Sequence, residues 1–134
     1  MTKLADIEGI GSVFARRLRK AGVRSVARLL EKGATPKDRK AIAAKSGIGP
    51  KLILEWVNHA DLFRIKGVGG EYADLLEEAG VDTVVELSKR DPKVLYPKIL
   101  KVNAAKKLVR RLPAPKQVAG WVRQAKKLPR RISY

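Results

Sequence analysis

The sequence predicts an all-α fold made of two tandem units in pseudo-symmetric duplication, residues 1–61 and 62–134. Three observations predict it. Glycine–hydrophobe–glycine triplets stand directly before amphipathic runs in "EGIGSVFARRL", "SGIGPKLIL" and "KGVGGEYADLL". The chain also repeats itself: Gly9-Ile10-Gly11 and Gly67-Val68-Gly69 lie 58 positions apart, as do Ala21-Gly22-Val23 and Ala79-Gly80-Val81. "PKLILEWVNHADL" from Pro50 matches "PKQVAGWVRQAKKL" from Pro115 at an offset of 65, pairing Trp56 with Trp121. The two offsets differ by seven, which places a short insertion within residues 90–112. Finally, no stretch shows the period-2 alternation of a strand.

Each element has a local reason. After Gly11, the residues Val13, Phe14, Leu18 and Ala21 recur at helical spacing, and Gly22 supplies the stop that helices favour just past their ends. Arg24 to Leu30 repeats the pattern through Val26, Leu29 and Leu30, closing at Gly33. Thr35-Pro36 is an N-cap with an N1 proline, opening a helix through Ile42 to Lys45. Ser46 to Pro50 forms a tight turn, and a longer helix follows through Trp56 to about Leu62. The second half runs the same way, with helix starts at Asp82-Thr83 and Asp91-Pro92. Trp56 and Trp121 sit among apolar neighbours at matching repeat positions, so both read as core residues, with Phe14 and Tyr72 as core knobs and His59 as a surface residue of its helix.

Composition narrows the function. The chain has 134 residues, 45% hydrophobic, enough to form a core and too apolar for a disordered segment. It carries 30 Lys and Arg against 13 Asp and Glu, a formal charge of +17. Such an excess repels itself unless a polyanion relieves it, which makes nucleic acid the expected partner. No cysteine is present, so disulfides and thiolate metal sites are excluded, and a single histidine cannot build a zinc site. No cofactor is expected. The N-terminus shows no signal-like apolar stretch and no run approaches a membrane span, so the expected location is cytoplasmic and nucleoid-associated, with no membrane partner.

The glycine turns suggest how a phosphate would be held. Glycine permits positive φ and close backbone approach, the hydrophobe between the glycines anchors the turn, and the amides opening the next helix are unpaired at its positive end. Charge separates the copies. The first turn precedes Arg16, Arg17, Arg19 and Lys20; the second has Lys51 just after Gly49; the third precedes Glu71, Asp74, Glu77 and Glu78, which repel a phosphate. The third is therefore expected to be structural, or to face a basic partner or the basic C-terminal segment. A fourth turn is degenerate, with Leu112-Pro113-Ala114-Pro115 in place of the triplet. Basic side chains compensate there: residues 92–134 hold 13 Lys and Arg and no acid, ending in the tail "LPRRISY".

"IEGIGSVFA", "SGIGPKLIL" and "IKGVGGEYA" resemble the helix-hairpin-helix motif, hydrophobic-x-Gly-hydrophobic-Gly followed by a helix. A pair of such hairpins resembles the compact five-helix unit of that superfamily, which contacts both strands of a duplex across its minor groove. The resemblance implies two such units over nearly the whole chain. The wording "KLILEWVNHADLFRIKGVGGEYADLLEEAGVDTV" also resembles an uncharacterised prokaryotic family of tandem helix-hairpin-helix domains with no assigned activity. Some DNA glycosylases of the superfamily place a Schiff-base lysine just after a hairpin and an aspartate some twenty residues on, and Lys51 stands where that lysine would be. Asp61 and Asp74 lie at poor spacings from it, and Asp91 follows a hairpin with Glu71 at the lysine position. The reading is therefore non-enzymatic.

The expected activity is sequence-independent binding of double-stranded DNA, of an architectural kind, by phosphate capture at hairpin amides and Lys/Arg side chains. The candidate residues are Gly9, Gly11, Ser12, Arg16, Arg17, Gly47, Gly49 and Lys51, with Lys106, Lys107, Arg110, Arg111 and Lys116 in the second half. Aromatic residues are only 5% of the chain, which argues against single-strand binding by stacking. RNA binding, and a scaffold role binding another protein or a second copy, remain the alternatives.

Overall fold

The computed structural model describes residues 3–134, and among these the chain is entirely helical. A 3-10 turn at Leu4–Asp6 precedes eight α-helices: α1 Ser12–Lys20, α2 Val26–Lys32, α3 Pro36–Ser46, α4 Pro50–Leu62, α5 Gly70–Glu78, α6 Val84–Ser88, α7 Pro92–Lys106 and α8 Pro115–Lys127. Contacts divide them into two compact units. One runs as far as Asp61 and takes in Arg131–Tyr134; the other is Leu62–Arg130. The last four residues, which the repeat leaves in the second half, thus join the first unit.

Helix starts follow side-chain chemistry. Ser25, Thr35 and Thr83 accept hydrogen bonds from the amides of Arg28, Asp38 and Glu86, each at 3.2 Å, and Asp91 accepts from Lys93 N at 2.9 Å. These caps satisfy amides that have no partner within their helices. Helix α1 ends in a Schellman arrangement: Val23 N donates to Leu18 O (2.9 Å) and Gly22 N to Arg19 O (3.0 Å), with Gly22 at φ 88°. Helix α5 ends the same way, Val81 N to Leu76 O (2.8 Å) and Gly80 N to Glu77 O (2.9 Å). In both, the residue past the glycine and its acceptor are fully buried, so the cap also adds core contacts. Each glycine carbonyl then accepts from a cation ten residues on, Lys32 for Gly22 (3.0 Å) and Arg90 for Gly80 (2.7 Å).

In the first unit, α1 packs on α3 and on the 3-10 turn, around Ile7, Leu18, Leu29, Ile53 and Trp56. In the second, α6 and α7 pack on α8 and α5 packs on α7, around Leu75, Leu76, Leu87, Leu95, Ile99 and Trp121. Both tryptophans lie in the core. Phe14 stacks at a tilt on Trp56 and Tyr72 on Trp121, each with ring centroids 5.2 Å apart.

Two expectations need correction. His59 is buried at 2% exposure, not on the helix surface: α4 presents Trp56, Val57, His59, Ala60, Asp61 and Leu62 inward over its last two turns, leaving little outer face there. Val13 is 54% exposed because it shares the outer side of α1 with Arg16 and Arg17, while Ala15 and Leu18 face the core. Arg39 is 5% exposed despite its charge. Its guanidinium donates to Gly33 O (2.9 Å) and Ser133 O (2.8 Å), Ser133 N donates to Ala34 O (2.8 Å), and Ile132 is buried beside them. Burial pulls the Arg39 pKa below its ordinary value, partly offset by Tyr134.

Candidate nucleic-acid interface

The first glycine turn is built from two glycines with different jobs. Gly9 has φ 92°, a conformation costly for residues with a Cβ, and Ile10 N closes the turn onto Ile7 O at 3.1 Å. A Cβ at Gly9 would stand 3.5 Å from the Trp56 Nε1, so the indole roofs this glycine. Gly11 is ordinary by comparison: φ is −85° and nothing lies within 4 Å of where its Cβ would be. It is the N-cap of α1, and lacking a side chain it leaves the first turn uncapped. The first helical bond is Ala15 N to Gly11 O, so the amides of Ser12, Val13 and Phe14 have no acceptor within the helix. Ser12 and Arg16 share a face at i,i+4, and Val13 and Arg17 share the neighbouring one; all four are exposed. The result is the positive end of a helix dipole, open to solvent, with guanidinium groups one turn along.

The second turn has the same openness. Gly47 caps α3 in the left-handed conformation at φ 73°, and Ser46 Oγ accepts from Ile48 N at 3.2 Å. Gly49 precedes α4, again with nothing within 4 Å of a Cβ, and Lys51 is exposed in the first turn of that helix. Pro50 at the start of α4 has no amide to offer, so this turn presents fewer donors than the first.

In the second unit the third turn keeps the shape and changes the charge. Gly67 has φ 93° under the Nε1 of Trp121, 3.3 Å from a Cβ position, and Gly69 opens α5 with no side-chain cap and open space in front. Glu71 stands in the first turn, where its charge complements the dipole that a phosphate would otherwise meet. At the far end of α5, Glu78 pairs with Lys106. One of the candidate cations is thus engaged by the acidic helix.

The fourth turn forms no amide cradle. Ala114 N donates to Gln117 Oε1 at 2.7 Å, and Pro115 begins α8 without an N–H. Lys116 is exposed beyond it. Between α7 and α8 the chain carries Lys107, Arg110 and Arg111, all exposed, on a segment tied at several points. Asn103 Oδ1 accepts from Val109 N (2.9 Å) and its amide donates to Val109 O (3.2 Å); Tyr72 Oη donates to Arg111 O (2.8 Å) and Tyr96 Oη to Pro113 O (2.9 Å). Lys107 itself adopts the left-handed conformation, φ 53°. Sequence reasoning named the cations of this segment and missed the groups that hold it. Asn103, Tyr72 and Tyr96 carry no motif, and nothing in their spacing signals that they hold this loop.

The candidates thus fall into two groups, one in each unit: Gly9 to Arg17 with Gly47 to Lys51, and Lys106 to Lys116. Among the described residues no three His, Asp or Glu side chains gather where a metal could be held, and no helix is long and apolar enough to cross a membrane. A family model described as a domain of unknown function (DUF4332) matches residues 8–128, and the chain belongs to that family. The match stops short of Arg131–Tyr134, the segment packed on the first unit. No curated protein and no solved structure matches the chain.

Proposed function

We propose that this chain binds double-stranded DNA with little regard to sequence, gripping phosphates with the helix-opening amides of its glycine turns and with Lys and Arg side chains. The observation that carries the reading is Gly11. Neither its backbone angles nor its surroundings demand glycine, since φ is −85° and the space before it is empty. Gly9 is required by its positive φ, whereas Gly11 has only the mild preference of an N-cap position for glycine, which leaves room for a functional reason. A ligand approaching the amides of α1 supplies one, because a Cβ at that point would stand in its path. The exposed Arg16 and Arg17, and the charge of +17, make that ligand an anion of many charges.

The same reading treats the glycine turns as helix-hairpin-helix elements and the chain as a duplication. In support, Gly9 and Gly67 share positive φ beneath Trp56 and Trp121, and Gly22 and Gly80 share the cap and the cation ten residues on. A duplex suits such a repeat, having two strands of phosphates. Recognition by backbone contacts positions a protein without reading bases.

The test is binding of the purified chain to labelled random-sequence duplex DNA, duplex RNA and single strands, titrated in salt. The expected result is a preference for duplex DNA with a log–log slope of about −0.9 per phosphate neutralised. Weak binding indifferent to nucleic-acid type would overturn the reading. Stoichiometric capture of a protein partner that survives nuclease and high salt would replace it with a scaffold.

A further inference from the structure

The segment joining α7 to α8 runs from Lys107 to Ala114 without helical structure, yet it is held like a structural element. Val109 and Pro113 are buried, Asn103 holds Val109 through both its amide and its carbonyl, and Gln117 holds Ala114 N. The hydroxyls of Tyr72 and Tyr96 reach the carbonyls of Arg111 and Pro113. These are the residues on either side of Leu112. That leucine is 41% exposed.

Single exposed leucines are common on protein surfaces. This one differs in its setting. Both flanking residues are fixed by tyrosine hydroxyls from two different helices, so little freedom remains to be lost when it meets a partner. The cations Lys107, Arg110, Arg111 and Lys116 surround it in sequence, and residues 92–134 contain no acid. An apolar partner surface would be discouraged by four positive charges; a polyanion with an apolar interior would not. Stacked base pairs between two phosphate backbones are such a partner.

We propose that Leu112 is a wedge that enters the minor groove and partly unstacks a base step, so that the chain bends the duplex it binds. The inference rests on the duplex-binding reading above. Arginines on the same loop hold the phosphates beside the opened step, and the loop from Lys107 to Ala114 contains no Asn or Gln to read bases. Selection of the site comes from deformability, which favours flexible pyrimidine–purine steps. Wedges of this kind bend DNA by roughly 20–90° toward the major groove.

The experiment uses the full chain with a duplex of about 30 base pairs carrying end-to-end fluorophores and 2-aminopurine at one central TA step, a length and step suited to detecting a single kink. Anisotropy on the same samples reports binding. Wild-type protein at saturation is expected to shorten the end-to-end distance and raise 2-aminopurine emission. Leu112→Ala, at an exposed site, is expected to keep its helical circular dichroism and its salt slope while losing both signals. Tyr72→Phe with Tyr96→Phe removes only the hydroxyls and is expected to bind while bending less. Saturation by wild type without shortening or emission change overturns the wedge and leaves duplex binding standing, as does an undiminished bend with Leu112→Ala. Absence of saturable duplex binding overturns both.

Discussion

The two units use one turn in opposite ways. In the first, Gly9 and Gly11 lead into a helix whose outer side carries Arg16, Arg17, Arg19 and Lys20. In the second, Gly67 and Gly69 make the same turn, under a tryptophan in the same place, and lead into Glu71, Asp74, Glu77 and Glu78. The backbone is alike and the field at the helix start is reversed. Helix α5 instead reaches the basic part of its own unit, through Glu78 to Lys106 and through Tyr72 to the carbonyl of Arg111. Under the proposed reading, the turn that would hold an anion in the first unit has a counterpart in the second whose helix braces a loop carrying cations. Shape sets what a turn can do, and the charges along the first two turns of the helix that follows favour or oppose an anion there.

The comparison breaks most visibly at Arg39. The first unit places a buried guanidinium between Gly33 O and Ser133 O, holding Arg131–Tyr134 in place. Arg39→Ala strands the buried carbonyl of Gly33 and loses the bond to the exposed Ser133, and is expected to cost about 2 kcal/mol. Hydrogen exchange should show protection lost in α1–α4 and kept in α5–α8. Loss across both units would mean that they unfold together. The next effect concerns binding. Arg16→Glu with Arg17→Glu is expected to weaken duplex binding roughly fiftyfold at about 0.1 M salt and to flatten the salt slope by about two contacts. Unchanged affinity would remove the first turn from the interface.

The glycines allow a finer cut. Gly9→Ala and Gly67→Ala both place a Cβ at φ above 90° and are expected to destabilise by about 1–2 kcal/mol each, read by thermal or denaturant unfolding. Gly11→Ala has room and an ordinary φ but puts a poor N-cap residue at the start of α1, so stability should fall by only about 0.5–1 kcal/mol while duplex affinity falls severalfold. If Gly11→Ala leaves affinity intact, the amides of α1 are not the ligand site.

Much of this was legible in the sequence because it is local. Thr35, Thr83 and Asp91 cap helices through bonds two or three residues long, and Gly22 and Gly80 end them by a backbone angle, so neighbouring letters suffice; Ser25 caps α2 in the same way, one residue inside the run read from Arg24. The self-match pointed to both tryptophans as core. What escaped depends on residues far apart. Arg39 meets Ser133 across 94 positions and Tyr72 meets Arg111 across 39. A charged residue on an exposed-looking helix gives no sign that a distant carbonyl will bury it. His59 escaped for a related reason, since its helix is buried on almost every side at that end and polarity alone argued for the surface. In the candidate site, the exposed arginines were readable and the fixation of the loop around Leu112 was not.

The smallest expected effect tests the charge argument itself. Glu71 is exposed in the first turn of α5, above a glycine turn whose geometry matches the first one. Glu71→Lys removes an anion that favours the helix dipole, costing about 0.3–1 kcal/mol of stability, and puts a cation at the position that matches Val13 of the first unit, one turn before the match to Arg16. If the turn still has the shape to hold a phosphate, duplex affinity should rise about threefold and the slope should steepen by nearly one contact. Glu86→Lys provides the comparison, since it makes the same change of charge at an exposed position in α6, in the same unit and not at a glycine turn. Any gain shared by the two variants belongs to net charge. A gain confined to Glu71→Lys belongs to the turn, and would mean that a side-chain charge, and not the path of the backbone, keeps the third turn from holding a phosphate. Equal gains would mean that the third turn serves as a joint between helices, whatever charge follows it.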